Sequence, residues 1–154
     1  MQAIRSHYDR LTRFLSGSVG EGIALLLARV ALAGIFWRSY KTKVVEGTWL
    51  EINDIQYDIF ANEFSGLPIP TDIAVPMATY AEFIFPILLV IGLATRFSAL
   101  ALGIMALVIQ LFVFPTSAHF FGWAITVLAL AAVLISRGAG VFSLDAIVSR
   151  ITAK

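Results

Sequence analysis

The stretch Gly22-Ile-Ala-Leu-Leu-Leu-Ala-Arg29-Val-Ala-Leu-Ala-Gly-Ile-Phe-Trp-Arg38 is apolar and long enough to cross a bilayer, yet an arginine stands at its centre. A second stretch, Ile73-Ala-Val-Pro-Met-Ala-Thr-Tyr-Ala-Glu82-Phe-Ile-Phe-Pro86-Ile-Leu-Leu-Val-Ile-Gly-Leu93, carries a glutamate in the same place. A charge at the bilayer centre costs about 2.5–3.5 kcal/mol on insertion scales, so such residues face a bundle interior and find a partner. Arg29 and Glu82 are the only full charges at membrane depth, and their signs are opposite. Any chemistry the chain performs is expected near them.

Working outward, two more apolar stretches of about 20 residues follow, Phe97–Phe114 and Ala118–Ser136. The fold class read from this pattern is all-α. It is an integral membrane four-helix bundle with spans at about 22–39, 73–93, 97–114 and 118–136, in a single domain over 1–154. Composition agrees. The chain is 59% hydrophobic and 14% charged, against about 25% charged in soluble domains, and its mean hydropathy is +0.88. A net charge of +1 without a basic run offers nothing to nucleic acid. The lack of cysteine excludes disulfides, iron–sulfur clusters, thiolate zinc and cysteine-pair redox chemistry.

The first span ends in Phe36-Trp37-Arg38 rather than in small residues, and reads as a retained signal anchor. Lys/Arg asymmetry sets the orientation. Arg5, Arg10, Arg13, Arg96, Arg137, Arg150 and Lys154 fall on one side, and Lys41 and Lys43 on the other, with Arg38 at the boundary. Both termini are expected in the cytoplasm, and the loop from about Tyr40 to Asp72 outside. Residues 1–16 place Ile4, Tyr8, Leu11, Phe14 and Leu15 at helical spacing against Arg5, Arg10 and Arg13, the pattern of a helix lying on the inner membrane surface. In the outer loop, Asn53-Asp54 could cap a short helix with Ile55, Ile59, Phe60 and Phe64 on one face, broken by Pro68 and Pro70. Thr71 or Asp72 would cap the second span. Ala99, Gly103 and Ala106 in the third allow close packing.

At a rise of 1.5 Å per residue, Arg29 lies roughly 14 Å from one end of its span and Glu82 roughly 15 Å from the other end of its own. Antiparallel neighbours with aligned ends would bring the two into contact. The contact reads as a buried ion pair that orients two helices, or as a ligand or proton site built on that pair. Pro86 cannot donate to the Glu82 carbonyl, which frees a backbone acceptor there. Tyr80, Gln110 and His119 gather in the outer half, with Arg38 and Lys41 at the mouth. Together with Arg29 and Glu82, these five are the ligand-binding candidates, expected to line a pocket open to the outer side. For Trp37, Tyr40 and Trp123 the plain reading is an aromatic belt. For Arg38, Lys41 and Lys43 it is interfacial snorkelling. Two histidines on opposite sides give neither a bis-histidine haem nor a metal set, and no catalytic residue is identifiable.

The run Leu27-Ala-Arg29-Val-Ala-Leu-Ala-Gly34-Ile-Phe-Trp37-Arg38-Ser-Tyr-Lys41-Thr-Lys43 resembles the first helix and exit loop of the DoxX family. The resemblance continues in Tyr80-Ala-Glu82-Phe-Ile-Phe-Pro86-Ile-Leu-Leu-Val-Ile-Gly92-Leu-Ala-Thr95-Arg96, in Val108-Ile-Gln110 through Pro115, and in Arg137-Gly-Ala-Gly140-Val-Phe-Ser143-Leu-Asp145. It covers about residues 20 to 150. It implies a small four-helix bacterial inner-membrane protein. Some relatives are subunits of a thiosulfate:quinone oxidoreductase, and others accompany redox-stress or metal-responsive operons.

Two functions from different classes fit. The first is an anchor, assembly or accessory subunit of a redox- or stress-linked system, bound to the bilayer and to a protein partner at the acidic outer loop, or to further copies of itself. The second is a quinone-binding subunit of an oxidoreductase complex. No cofactor is evident in the chain itself, and quinone is the one that reading would add. As an enzyme it would be such a subunit and not self-sufficient. A small-solute transporter ranks third, because without an internal repeat it would need a homo-oligomer. Lack of an intrinsic redox group places the accessory reading first.

Overall fold

The computed structural model describes residues 2–153, and side chains from residue 5. Helix α1 spans Gln2–Leu15, α2 Ser18–Lys41, α3 Ile55–Asn62 and α4 Thr71–Ile91. Two further long helices, α5 over Thr95–Val113 and α6 over Ser117–Arg137, precede the short α7 over Leu144–Thr152. Helices α2, α4, α5 and α6 are each long and apolar enough to cross a membrane. The protein is a multi-pass membrane protein, and its spans agree with the sequence reading to within about four residues at each end. The side chain of Ile4, and Lys154, lie outside the described residues.

Each span packs against two others, in the cyclic order α2, α4, α5, α6. Leu25, Leu32, Ala33 and Phe36 of α2 meet Leu89 of α4, Ala99, Leu102 and Ala106 of α5, and Val127, Ala131 and Leu134 of α6. Without a hydrophobic drive between helices in lipid, small residues gain contact by letting backbones approach. A Cβ on Gly103 would lie 3.3 Å from that of Ala131, which shows how near α5 and α6 run. The large apolar side chains left uncovered, such as Leu27, Leu111 and Phe121, point outward, the arrangement a bilayer contact requires.

One end of the bundle carries both termini and the other carries residues 42–70. At this loop end the chain turns at Gly47 and pairs back on itself. Val45 N–H donates to Glu51 at 2.9 Å, and Asn53 N–H to Lys43 at 2.9 Å. Asn53 Oδ1 then accepts from Ile55 N–H at 3.2 Å and starts α3, as its position suggested. The buried face of α3 differs from the expected one. Gln56 and Phe60 face inward with Phe64, while Ile55 is exposed. Phe60 packs on Ala74 and Val75 in the first turns of α4. Pro70 stands at the N-cap of α4, with no side chain capping it, so neither Thr71 nor Asp72 fills that role.

At the terminal end α1 is helical, and Tyr8, Leu11, Phe14 and Leu15 are all uncovered. A second such helix, α7, was not foreseen. Ser143 Oγ accepts from Ala146 N–H to cap it, and Leu144, Ile147, Val148 and Ile151 stand exposed.

Candidate functional site

The expected contact between Arg29 and Glu82 is not made. Glu82 is 2% exposed, and its partner is Lys43, whose Nζ lies 2.7 Å from Oε2. Ser39 Oγ donates to Oε1 at 3.1 Å, and Lys43 Nζ is also 2.8 Å from Ser39 Oγ. Ser39 and Lys43 are one helical turn apart, so both reach the same point. Lys43 is buried and does not snorkel.

Arg29 lies fully buried near the other end. Its Nη1 donates to the Leu89 and Val90 carbonyls, both at 3.1 Å, and its Nη2 to Phe142 O at 2.5 Å. Leu89 and Val90 belong to the last turn of α4, where unsatisfied carbonyls carry partial negative charge. Here the two Nη groups of the cation are held by backbone carbonyls and not by a carboxylate, while its buried Nε has no partner. The fold makes room for it at Gly92, which ends α4 at φ +70 and whose missing Cβ would collide with Arg29 Nη1. Asp145 completes the junction. Its carboxylate accepts from Ala94 N–H at 2.8 Å and Thr95 N–H at 3.0 Å, and its own N–H donates to Gly92 O at 2.8 Å.

Helix register explains the difference. Ser39 faces Glu82 and Arg29 faces Leu89 and Val90, so partners on α2 and α4 have residue numbers summing to about 120. Glu82 is therefore about 9 residues, roughly 13 Å, from the level of Arg29. Aligning the helix ends was the error, because the first turns of α4 extend beyond α2 to seat α3.

The other candidates separate too. Tyr80 is partly exposed, and its hydroxyl lies 3.4 Å from Leu50 O. Arg38 is exposed. Lys41, also exposed, lies 6.0 and 5.9 Å from the Tyr40 and Trp49 ring centroids, within cation–π range. Tyr40 is not a belt residue. It is buried, donates to the Trp49 carbonyl, and packs in a cluster with Trp37, Trp49 and Phe83.

Gln110 and His119 do meet, with Oε1 and Nδ1 2.6 Å apart. Each stands at a π-helical turn, Ile109–Val113 in α5 and Phe120–Ala124 in α6, on either side of Pro115. Such turns are frequent at functional sites. Gln110 Nε2 donates to Thr116 O at 3.1 Å, and Thr116 Oγ1 accepts from His119 N–H at 3.2 Å. The His119 ring lies between Phe114 and Trp123, at 5.0 and 5.1 Å.

Lys43, Ser39, Gly92 and Asp145 are the residues that sequence reasoning missed. The four-residue spacing of Ser39 and Lys43, across the end of the first span, was the available signal.

Four apolar spans with a buried acid–lysine pair under an ordered loop define a small polytopic helical membrane protein. The family model described as DoxX matches residues 24–115, which include Arg29, Ser39, Lys43, Glu82 and Gln110. The chain belongs to the DoxX family. A Haemophilus influenzae protein described as "Uncharacterized protein" is 34% identical over 138 residues, covering 86% of this chain and 88% of its own. No solved structure matches the chain.

Proposed function

We propose that the protein is an accessory or assembly subunit of a redox- or stress-linked system in the bacterial inner membrane, with its loop end as the docking face. One observation carries the reading. Lys43 and Ser39 close on the buried Glu82 carboxylate, and this anchors the loop to the bundle. The anchored loop holds Trp49, Leu50 and Ile55 outward, beside Glu46, Glu51, Asp54 and Asp58, which are exposed as well. An apolar centre with an acidic rim is the composition of a protein-docking patch. Lys/Arg asymmetry supports cytoplasmic termini and hence an outward-facing loop. Photo-crosslinkers placed at Trp49 and Ile55 in cells should give a discrete protein adduct that is lost when Glu82→Leu unseats the loop. A lipid-facing control at Leu111 should give none. Adducts equal at all three positions would contradict the docking face.

A second reading, a quinone-binding subunit of an oxidoreductase complex, is supported by Gln110 and His119 among the Phe114 and Trp123 rings. A quinone carbonyl can accept from either side chain while its ring stacks on the aromatics. Titrating a short-chain quinone into wild type and Gln110→Leu separates the readings. A saturable rise in melting temperature lost in the variant favours quinone. No rise in wild type leaves the accessory role.

A further inference from the structure

At the terminal end, an open groove of about 530 Å³ runs between the α4–α5 turn, the end of α6 and the start of α7. Two guanidinium groups line it, those of Arg96 and Arg137. Arg96 bridges the two spans, with Nη2 3.4 Å from Ser136 O and the guanidinium against Gly138, 3.4 Å from where a Cβ would stand. Arg137 is largely exposed, and its Nη1 lies 3.2 Å from Glu21 Oε1. A guanidinium has five N–H donors, so these bonds leave most of both forks to a ligand. Ser149 lies on the α7 side of the wall, and Phe97 on the α5 side, 63% exposed.

Thr95 also belongs to the wall. It is fully buried, and its hydroxyl has no partner. Two acids face the groove or its arginines. The Asp145 carboxylate is held by the Ala94 and Thr95 N–H groups, and Glu21 reaches Arg137 from α2.

The location decides the chemistry. The groove sits where the spans end, and the exposed apolar faces of α1 and α7, with Val141 and Phe142, stand at the same end. Helices of this kind lie at the headgroup level of a bilayer, and basic pockets between spans at that level take anionic lipid headgroups. We infer that the groove binds the phosphate of an anionic phospholipid between Arg96 and Arg137, with an acyl chain leaving past Phe97. This does not depend on the docking or the quinone reading.

The test is thermal unfolding of the full chain in a neutral detergent, titrated with short-chain phosphatidylglycerol, short-chain phosphatidylcholine or inorganic phosphate. Phosphatidylglycerol should raise the melting temperature saturably, at about tenfold lower concentration than phosphatidylcholine. Arg96→Gln with Arg137→Gln should abolish that preference. Arg137→Gln alone removes only an exposed side chain, so it keeps the fold and should weaken the preference. Lys41→Gln, at the opposite end, should leave it intact. Equal stabilisation by the two lipids, or a preference unchanged in both arginine variants, overturns the site. So does loss of the preference in Lys41→Gln, which would mark a general charge effect. A saturable shift with inorganic phosphate alone, matching that with phosphatidylglycerol, overturns the lipid assignment in favour of a soluble anion.

Discussion

Lys43 Nζ lies 2.7 Å from Glu82 Oε2, in a setting where neither side chain is more than 10% exposed. The lysine stands just past the end of α2, and the glutamate at the middle of α4. Their pairing fixes the loop to the bundle at the buried acid of α4. Tyr40 and Trp49 both contact the ring of Phe83, the neighbour of Glu82 in α4, with centroids at 5.1 and 6.4 Å. Taking out one partner of a buried pair leaves an uncompensated charge, which is why the pair constrains the loop so strongly.

Arg29 and Glu82 act on separate parts of the fold. Arg29→Leu removes the side-chain donor from three carbonyls, of which Leu89 O keeps the Gly92 N–H, and Glu82→Leu strands Lys43. Each single change should destabilise by about 3 kcal/mol or more in detergent. The double variant should lose the sum to within about 0.5 kcal/mol, as expected of sites more than about 10 Å apart with no shared partner. Denaturant or thermal unfolding of the four proteins measures this, and strong coupling between the two positions would restore the direct contact.

Gly92→Ala should be destabilising by more than an ordinary surface change. Its left-handed backbone costs a non-glycine residue about 1–3 kcal/mol, and the added methyl meets Arg29 and Ser143, with Ser143 Cβ at 2.5 Å. A melting temperature equal to wild type would show that the α4–α5 turn is looser than described.

Asp145 ties α7 to the α4–α5 turn by accepting two N–H groups at the start of α5. Asp145→Ala should cost about 0.5–2 kcal/mol, the range for a lost N-cap. It should also speed proteolysis after Arg137 or Arg150 in proteoliposomes. Asp145→Asn keeps an acceptor and should lose less. Equal behaviour of the two variants would argue against the cap.

The spans could be read from the sequence because about 20 apolar residues bounded by Gly, Pro or Arg have one solution in lipid. The α3 start was readable too, since Asn53 carries its own mechanism. Pairings between helices were not, because composition carries no information on stagger. The extension of α4 past α2 depends on Phe60 packing against Ala74 and Val75, a contact between segments that no periodicity reveals. Arg29 misled for a related reason. A buried arginine calls for acceptors, and backbone carbonyls at a helix end serve without leaving any mark in the sequence. In α7, Ser143 followed by Leu144, Ile147, Val148 and Ile151 did give a legible capped amphipathic pattern, but the helix is only nine residues long.

A double-mutant cycle on Lys43 and Glu82, read by thermal unfolding of the purified protein, tests the anchored loop most directly. Lys43→Met and Glu82→Leu should each cost about 3–5 kcal/mol, and the double variant clearly less than their sum, because no unpaired charge remains buried. Additive losses would falsify the pairing, and with it the fixed loop-end face on which the accessory role rests.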